Sequence, residues 1–213
     1  MTLEFKDFRK GYNGRPVISI DGLKLNERLY WLRGENGSGK STLLKAVAGI
    51  LHFEGDVVLN DQYSLKRNTR GYRCRVNFAE AEPLFPAFLT GMDLVALFTE
   101  VKHGKKGAAD EYIERMHMQE YINDAVGTYS SGMTKKLSLI LSFIGEPELI
   151  LLDEPLITLD AAALEVLSQW ITEKSQRDQV SFFLASHQQL SDVLLPAVEE
   201  LFIEHKGITS ICQ

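Results

Sequence analysis

One stretch constrains this chain more than any other: RLYWLRGENGSGKSTLLKAVAGIL, Arg28 to Leu51. Leu29 to Leu32 reads as an apolar strand. Gly34 to Gly39 is a glycine-rich loop. From Lys40 onward, the spacing of Leu43, Leu44, Val47 and Ala48 predicts a helix. The string Gly34 to Ser41 satisfies GxxxxGK[ST], and it stands where that pattern has meaning, between a strand and a helix. Glycines let backbone N–H groups converge on phosphate oxygens. The helix N-terminus adds partial positive charge. Lys40 supplies a mobile cation for the β- and γ-phosphates, and Ser41 a hydroxyl for Mg²⁺. The alternative is a glycine-rich turn without a ligand.

A second apolar run, Leu149 to Leu152 in PELILLDEP, has the unbroken character of a strand buried on both faces. Asp153 follows at its carboxyl end, the edge where ligands bind in open α/β sheets. Glu154 is next, placed to polarise a water beside the Mg²⁺ ligand. A third run, Phe182 to Ala185, leads into Ser186 and His187. In a parallel sheet, His187 would share the edge of Asp153. The competing readings are a solvated acidic turn for Asp153 and Glu154, and a plain surface histidine for His187.

The stretch TYSSGMTKKLSL, Thr128 to Leu139, places Ser130, Ser131 and Gly132 directly before a helical pattern. Ordinary capping needs only one serine. The extra small residues leave an open helix tip suited to an anion.

Together GENGSGKST, YSSGM, LILLDEP, TLD and ASH occur in the order found in an ATP-binding cassette (ABC) ATPase. Along nearly its whole length the chain resembles the nucleotide-binding subunit of an ABC transporter. Its signature departs from Leu-Ser-Gly-Gly-Gln: Ser130 and Gly132 match, while Ser131 and Met133 replace glycine and glutamine. The SxGM form followed by basic residues resembles the ABC-2 type exporter branch.

The resemblance implies an α/β fold with a P-loop NTPase core, a mostly parallel sheet flanked by helices. It implies an N-terminal antiparallel β subdomain and an inserted helical subdomain. Residues 1–213 then form a single domain, with 1–83 and 146–213 as core and 84–145 as the helical subdomain. It also implies ATP and Mg²⁺ as ligands. The nucleotide would lie against Tyr12, Asn36, Gly37, Ser38, Gly39, Lys40, Ser41 and Thr42. Ser130, Gly132 and Asp160 would complete the site of a second subunit bound head to tail. Glu154, His187 and Lys40 carry the catalytic expectations; Ser41, Glu80 and Asp153 carry the metal ones. Glu80 stands where the family usually has glutamine, and Glu82 is the alternative register. The implied partners are transmembrane permease subunits and a second nucleotide-binding subunit, identical or related. The implied location is peripheral, on the cytoplasmic face of the cell membrane, with membrane contact only through the partner.

Bulk properties agree. A net charge of −6 weighs against a nucleic-acid partner. The N-terminus MTLEFKDFRKGY lacks a signal-peptide pattern, and no apolar run reaches the ~18 residues that span a bilayer. Cys74 and Cys212 form no metal-binding spacing. The basic run from Lys66 to Arg75 is either a solvated face or a contact for a partner or anionic lipid.

The middle of the chain, from about Leu84 to Gly145, reads as helical. Thr90 is a candidate cap for a helix with Leu94, Val95, Leu97 and Phe98 on one side. AADEYIERMHMQEYI repeats the pattern with Ile113 and Met116, after an exposed turn at KHGKKG. Leu84 to Phe88 would either face the permease or pack the lobes together. A small-molecule kinase would want phosphate-holding arginines, and Arg115 is the only arginine between Leu84 and Glu146. A regulatory or non-transport ABC ATPase with weak hydrolysis remains as the alternative function.

Overall fold

The computed structural model describes residues 1–187, 198–204 and 206–210, so Cys212 lies outside the described residues. Two sheets organise the molecule. The first holds β1 (Leu3–Tyr12), β2 (Arg15–Leu25), β4 (Glu54–Leu59) and β5 (Tyr63–Ser64), in the order β2-β1-β4-β5 and antiparallel throughout. Strict alternation along β1 would send Phe5 and Phe8 to opposite faces, yet both are fully buried in one cluster. The register against β4 shifts between Lys6 and Arg9, and this bulge turns Phe8 inward. The bulge depends on Gly55, with φ of 86°, because a Cβ there would meet the Asp7 carbonyl oxygen at 2.2 Å.

The second sheet holds β3 (Leu29–Arg33), β6 (Val76–Ala79), β7 (Leu149–Asp153), β8 (Ser181–Ala185), β9 (Glu199–Glu204) and β10 (Gly207–Ser210), in the order β10-β9-β3-β8-β7-β6. All neighbours are parallel except the β9–β10 hairpin. Every residue of β7 and β8 is buried, as their apolar runs predict. Ile150, Leu152, Phe182 and Leu184 join one core cluster; Leu149, Leu151, Phe183 and Ala185 join the other. Apart from Ala185, each such side chain contributes about 1.5–3 kcal/mol by leaving water. One cluster includes α1 (Lys40–Val47) and the antiparallel sheet; the other gathers α6 (Ala161–Arg177) and the helical insertion.

The insertion contains α3 (Gly91–Val101), α4 (Asp110–Arg115), a short 3-10 turn (Val126–Thr128) and α5 (Ser131–Ser142). Thr90 does cap α3, in a reciprocal box with Asp93. Leu94 and Val95 face the core, but Leu97 is half-exposed. The second helix is shorter than its pattern predicts. It spans six residues and stops before His117, whose φ of 55° cannot continue a right-handed helix. Met116, Met118 and Ile122 are nevertheless buried, so the apolar pattern reports packing of a turn. The basic run forms a further helix, α2 (Thr69–Arg75), capped by Asn68. Its last arginine, Arg75, pairs with Glu148 and lies over the Tyr63 ring.

Candidate ATP-binding and hydrolysis site

The parallel sheet brings the predicted residues to one edge. β3 runs directly into the glycine-rich loop, and α1 starts at Lys40. Gly39 has a φ of 109°, and a Cβ there would press on Val17 and Ile18 at 3.1 Å, so glycine lets β2 close over the loop. The Lys40 Nζ donates to the carbonyl oxygens of Gly34 at 2.8 Å and Glu35 at 3.1 Å, spanning the loop from its far end. β7 and β8 pair in register, with Asp153 opposite Ala185. Asp153, Glu154 and His187 therefore share an edge, as the sequence predicts for a parallel sheet.

Two contacts define the chemistry. The Ser41 Oγ donates to Asp153 Oδ1 at 3.0 Å. The Asp153 Oδ2 is buried without a hydrogen-bond partner. Burial pushes this carboxyl above the usual aspartate range, and the Ser41 hydroxyl and the nearby Lys135 charge oppose that rise. A hydroxyl and a carboxylate that keeps one oxygen buried and unpartnered form a donor set that suits a hard divalent cation. Among the described residues no group of three or more His, Cys, Asp or Glu could hold a metal, so such a cation would draw further ligands from phosphate and water. One residue on, Glu154 Oε2 lies 3.0 Å from His187 Nδ1 and accepts from the His187 backbone N–H at 3.3 Å.

A cavity of about 890 Å³ opens over this edge. Tyr12, Asn36, Gly37, Gly39, Lys40, Ser41, Thr42, Glu154 and His187 border it, joined by Glu82, Ser131 and Thr158. Tyr12 presents a ring that also carries the Lys10 ammonium 4.5 Å from its centroid. Ser38 borders an adjoining cavity, its Oγ buried without a partner.

Other predicted residues sit elsewhere. Ser130 caps α5 by accepting from the Met133 N–H at 3.2 Å, and Gly132 lies against Thr158, where a Cβ would meet the carbonyl oxygen at 3.0 Å. Asp160 caps α6 through the Ala163 N–H and pairs with Lys136 at 2.7 Å. None of these three lines the cavity above the glycine-rich loop. The Glu80 carboxylate pairs with Lys45 at 3.1 Å and borders a second cavity instead. That cavity, of about 1190 Å³, lies between α2 and α3, with Arg70, Arg73, Phe85 and Leu97 on its walls. Leu84 on its wall is 94% exposed, and Phe88, four residues on, is 81% exposed.

Sequence reasoning passed over Lys135. It is 1% exposed, on the buried stripe of α5 with Ser138, Leu139 and Ser142. Burial lowers its pKa to about 8, against the pull of the Asp153, Glu154 and Glu80 charges. A lysine at helical spacing with buried residues was the available signal.

Residues 23–157, more than half the chain, match the family model described as ABC transporter. The chain belongs to the ABC transporter family. Among curated ABC relatives, it is 28% identical over 213 residues to the ATP-binding protein YtrB of Bacillus subtilis, covering 98% of this chain and 71% of that one. It is 27% identical over 207 residues to the bacitracin transport ATP-binding protein BcrA of Bacillus licheniformis, covering 95% and 64%. The B. subtilis ABC transporter ATP-binding protein YhcH is 27% identical over 189 residues, covering 87% and 62%. The chain thus spans about two thirds of the length of these ABC relatives. A solved ATP-binding subunit of an ABC transporter superposes with a TM-score of 0.85 at 20% identity, over 99% of this chain and 90% of that one. A dimeric ATP-binding cassette bound to ADP and phosphate superposes at 0.79 with 16% identity, over 99% of both chains. These likenesses show an ABC ATPase fold, a P-loop α/β core with an antiparallel sheet and helices. The family match ends at Ile157, so Asp160 and His187 rest on position in the fold.

Proposed function

We propose that this chain is the ATP-hydrolysing motor of a membrane transporter, working as a head-to-tail pair with a second nucleotide-binding subunit. The observation that carries it is the shared edge: Ser41 bonded to Asp153, and Glu154 bonded to His187, around the cavity that Lys40 borders. The adenine ring stacks on Tyr12, and base stacking is worth about 1–3 kcal/mol. Backbone N–H groups from Asn36 to Thr42 hold the phosphates, and Lys40 swings from the loop carbonyls onto the γ-phosphate. Ser41 and Asp153 would hold Mg²⁺, which would supply neutralisation of the charge developing on the phosphates. Glu154 takes a proton from the attacking water, worth roughly 10²–10⁴-fold. His187 holds the Glu154 carboxylate in place and donates toward the γ-phosphate. Ser130, Gly132 and Asp160 of one protomer face the phosphate of the other. Glu80, paired with Lys45, would join the metal site were that pair to open.

The transport partner is a pair of transmembrane permease subunits. The cavity between α2 and α3, with exposed Leu84 near its rim, supports this surface as their dock. The chain then works peripherally on the cytoplasmic face of the membrane. Among the described residues no helix is long and apolar enough to cross it. The SxGM signature supports export as the direction.

The test is Glu154→Gln. Turnover falls by about 10²–10⁴-fold, nucleotide binding persists, and size-exclusion chromatography with ATP and Mg²⁺ shows an accumulated dimer. A monomer alone, with unchanged turnover, removes Glu154 as the base.

A further inference from the structure

Lys135 is the buried charge that the proposed chemistry leaves unused. Its ammonium gives three hydrogen bonds: to the carbonyl oxygens of Asp153 at 2.8 Å, Glu80 at 2.7 Å and Ala81 at 3.3 Å. An ammonium has three protons, so its donors are matched one to one. No carboxylate oxygen takes any of them. The side chain is 1% exposed. Burying such a charge is costly unless it is well bonded, and a leucine or methionine would pack the same stripe without that cost. A reason for the charge lies in what the three carbonyls do.

The Asp153 carbonyl belongs to the peptide that enters Glu154. That peptide is held at both ends: its oxygen accepts from Lys135, and its N–H, on Glu154, donates to the Ala185 carbonyl at 2.8 Å. Glu154 has a φ of 44°, in the left-handed region that non-glycine residues avoid. Such a conformation persists only where the surroundings over-determine it. Lys135 and Ala185 are two of those surroundings. They turn the chain so that the carboxylate of Glu154 reaches His187.

We infer that Lys135 is the positioning residue for Glu154, and that through it the helix carrying the signature sets the aim of the base. It resides on α5, five residues beyond Ser130, so about 7.5 Å of helix separates the backbone at the tip from that of Lys135. The far end of α5 is fastened as well, since Asn77 Nδ2 donates to the carbonyls of Ser142 and Ile144 at 2.8 Å each. Helix α5 is therefore tied to the start of β6 through Asn77 and to the carboxyl edges of β6 and β7 through Lys135. The remaining two bonds of Lys135 fix the start of the loop after β6, which carries Glu80 and leads to Leu84. One ammonium thus joins the signature helix, the base and the loop bordering both cavities. The inference rests on the reading of Glu154 as the base.

The test is a double-mutant cycle on the full chain with ATP and Mg²⁺. Lys135→Met keeps the volume and removes all three donors. Turnover falls about 10- to 100-fold, the loss expected for a group misplaced by an ångström. The Kd of a fluorescent ATP analogue stays within about threefold, because the phosphate loop is untouched. Lys135→Gln restores some donors and part of the rate. In a Glu154→Gln background, Lys135→Met leaves the residual rate unchanged, since there is no base left to aim. Parental turnover in Lys135→Met, a parallel loss of analogue affinity, or an equal fold-loss in both backgrounds overturns the inference. Should Lys135→Met fail to fold, the same cycle with Lys135→Gln decides, and full turnover there is equally fatal. Undiminished turnover in Glu154→Gln alone refutes the base itself, and that result comes from a chain retaining Lys135.

Discussion

Asp153 shows how a single residue can be arranged for a ligand at a cost to the empty fold. Its Oδ1 accepts from Ser41, its carbonyl accepts from Lys135, and its Oδ2 has no partner inside a buried site. Burial raises its pKa, so the folded chain holds the proton to higher pH than the unfolded chain does. The sign follows: its contribution to stability is complete below the ordinary value of 3.8 and is lost as pH rises through the folded value. Replacing the charge while keeping the shape relieves that loss. The expected outcome for Asp153→Asn is an apo chain whose melting temperature at pH 7 is higher, by roughly 2–4 °C for ~1 kcal/mol in a chain of this size. The same variant loses the gain in ATP-analogue affinity that Mg²⁺ confers on the parent. Melting curves and titrations with and without Mg²⁺ check both halves. A variant that melts lower yet keeps the Mg²⁺-dependent gain reverses this account of the residue.

At the scale of elements, α3 begins where its capping chemistry dictates. The Thr90 Oγ1 accepts from the Asp93 N–H at 3.0 Å, and the Asp93 carboxylate accepts from the Thr90 N–H at 2.9 Å. Thr90→Ala is expected to cost about 1 kcal/mol in chemical denaturation. The hydrogen bonds from the Thr90 backbone and hydroxyl hold the Asp93 carboxyl below 3.8, so its contribution is present above that pH and lost as pH falls through the folded value. The stability gap between parent and Asp93→Ala therefore narrows on acidification below pH 3.8. A gap that stays constant through that range removes the carboxylate from the cap. Elements like this were legible because their causes are local. The strand–loop–helix at Gly34, the run ending at Asp153 and the cap at Thr90 are all written in contiguous residues. The bulge at Asp7 was not, because it depends on Gly55 in another strand. Nor was the early end of α4, where buried methionines mimic helical spacing around a turn. Helix α2 hid inside a run that charge alone describes as solvated. At the site, residue types announced Lys40, Ser41, Asp153 and Glu154. The partners of Glu80 and Lys135 became visible only when separate strands and helices met: Lys45 for one, three carbonyls for the other.

At the scale of the whole molecule, the helix tip at Ser130 is the part its own chain leaves incompletely used. Ser130 and Gly132 stand away from the cavity over the glycine-rich loop, while Ser131 and Thr134 reach its border. The Ser130 hydroxyl oxygen accepts from Met133, which is plain capping, and among the described residues none takes its proton. Two explanations compete: a cap that happens to be followed by small residues, or an anion site for the γ-phosphate of a second protomer. Ser130→Asp separates them. Aspartate caps about as well as serine, so the fold is expected to keep its stability to within about 0.5 kcal/mol. ATP-analogue binding by the dilute chain is also expected to persist, because Lys40 and its loop are unchanged. In the pair, however, the new carboxylate meets the partner's phosphate, and like charges opposed across an interface cost several kcal/mol. Turnover should fall roughly tenfold or more, and the ATP-dependent dimer should be lost. In the parent, turnover per protomer should decline on dilution for the same reason, since each site takes its second half from another molecule. A Ser130→Asp chain that hydrolyses at the parental rate, together with a parent whose specific rate ignores dilution, would leave the serine as a cap and each protomer as a complete enzyme.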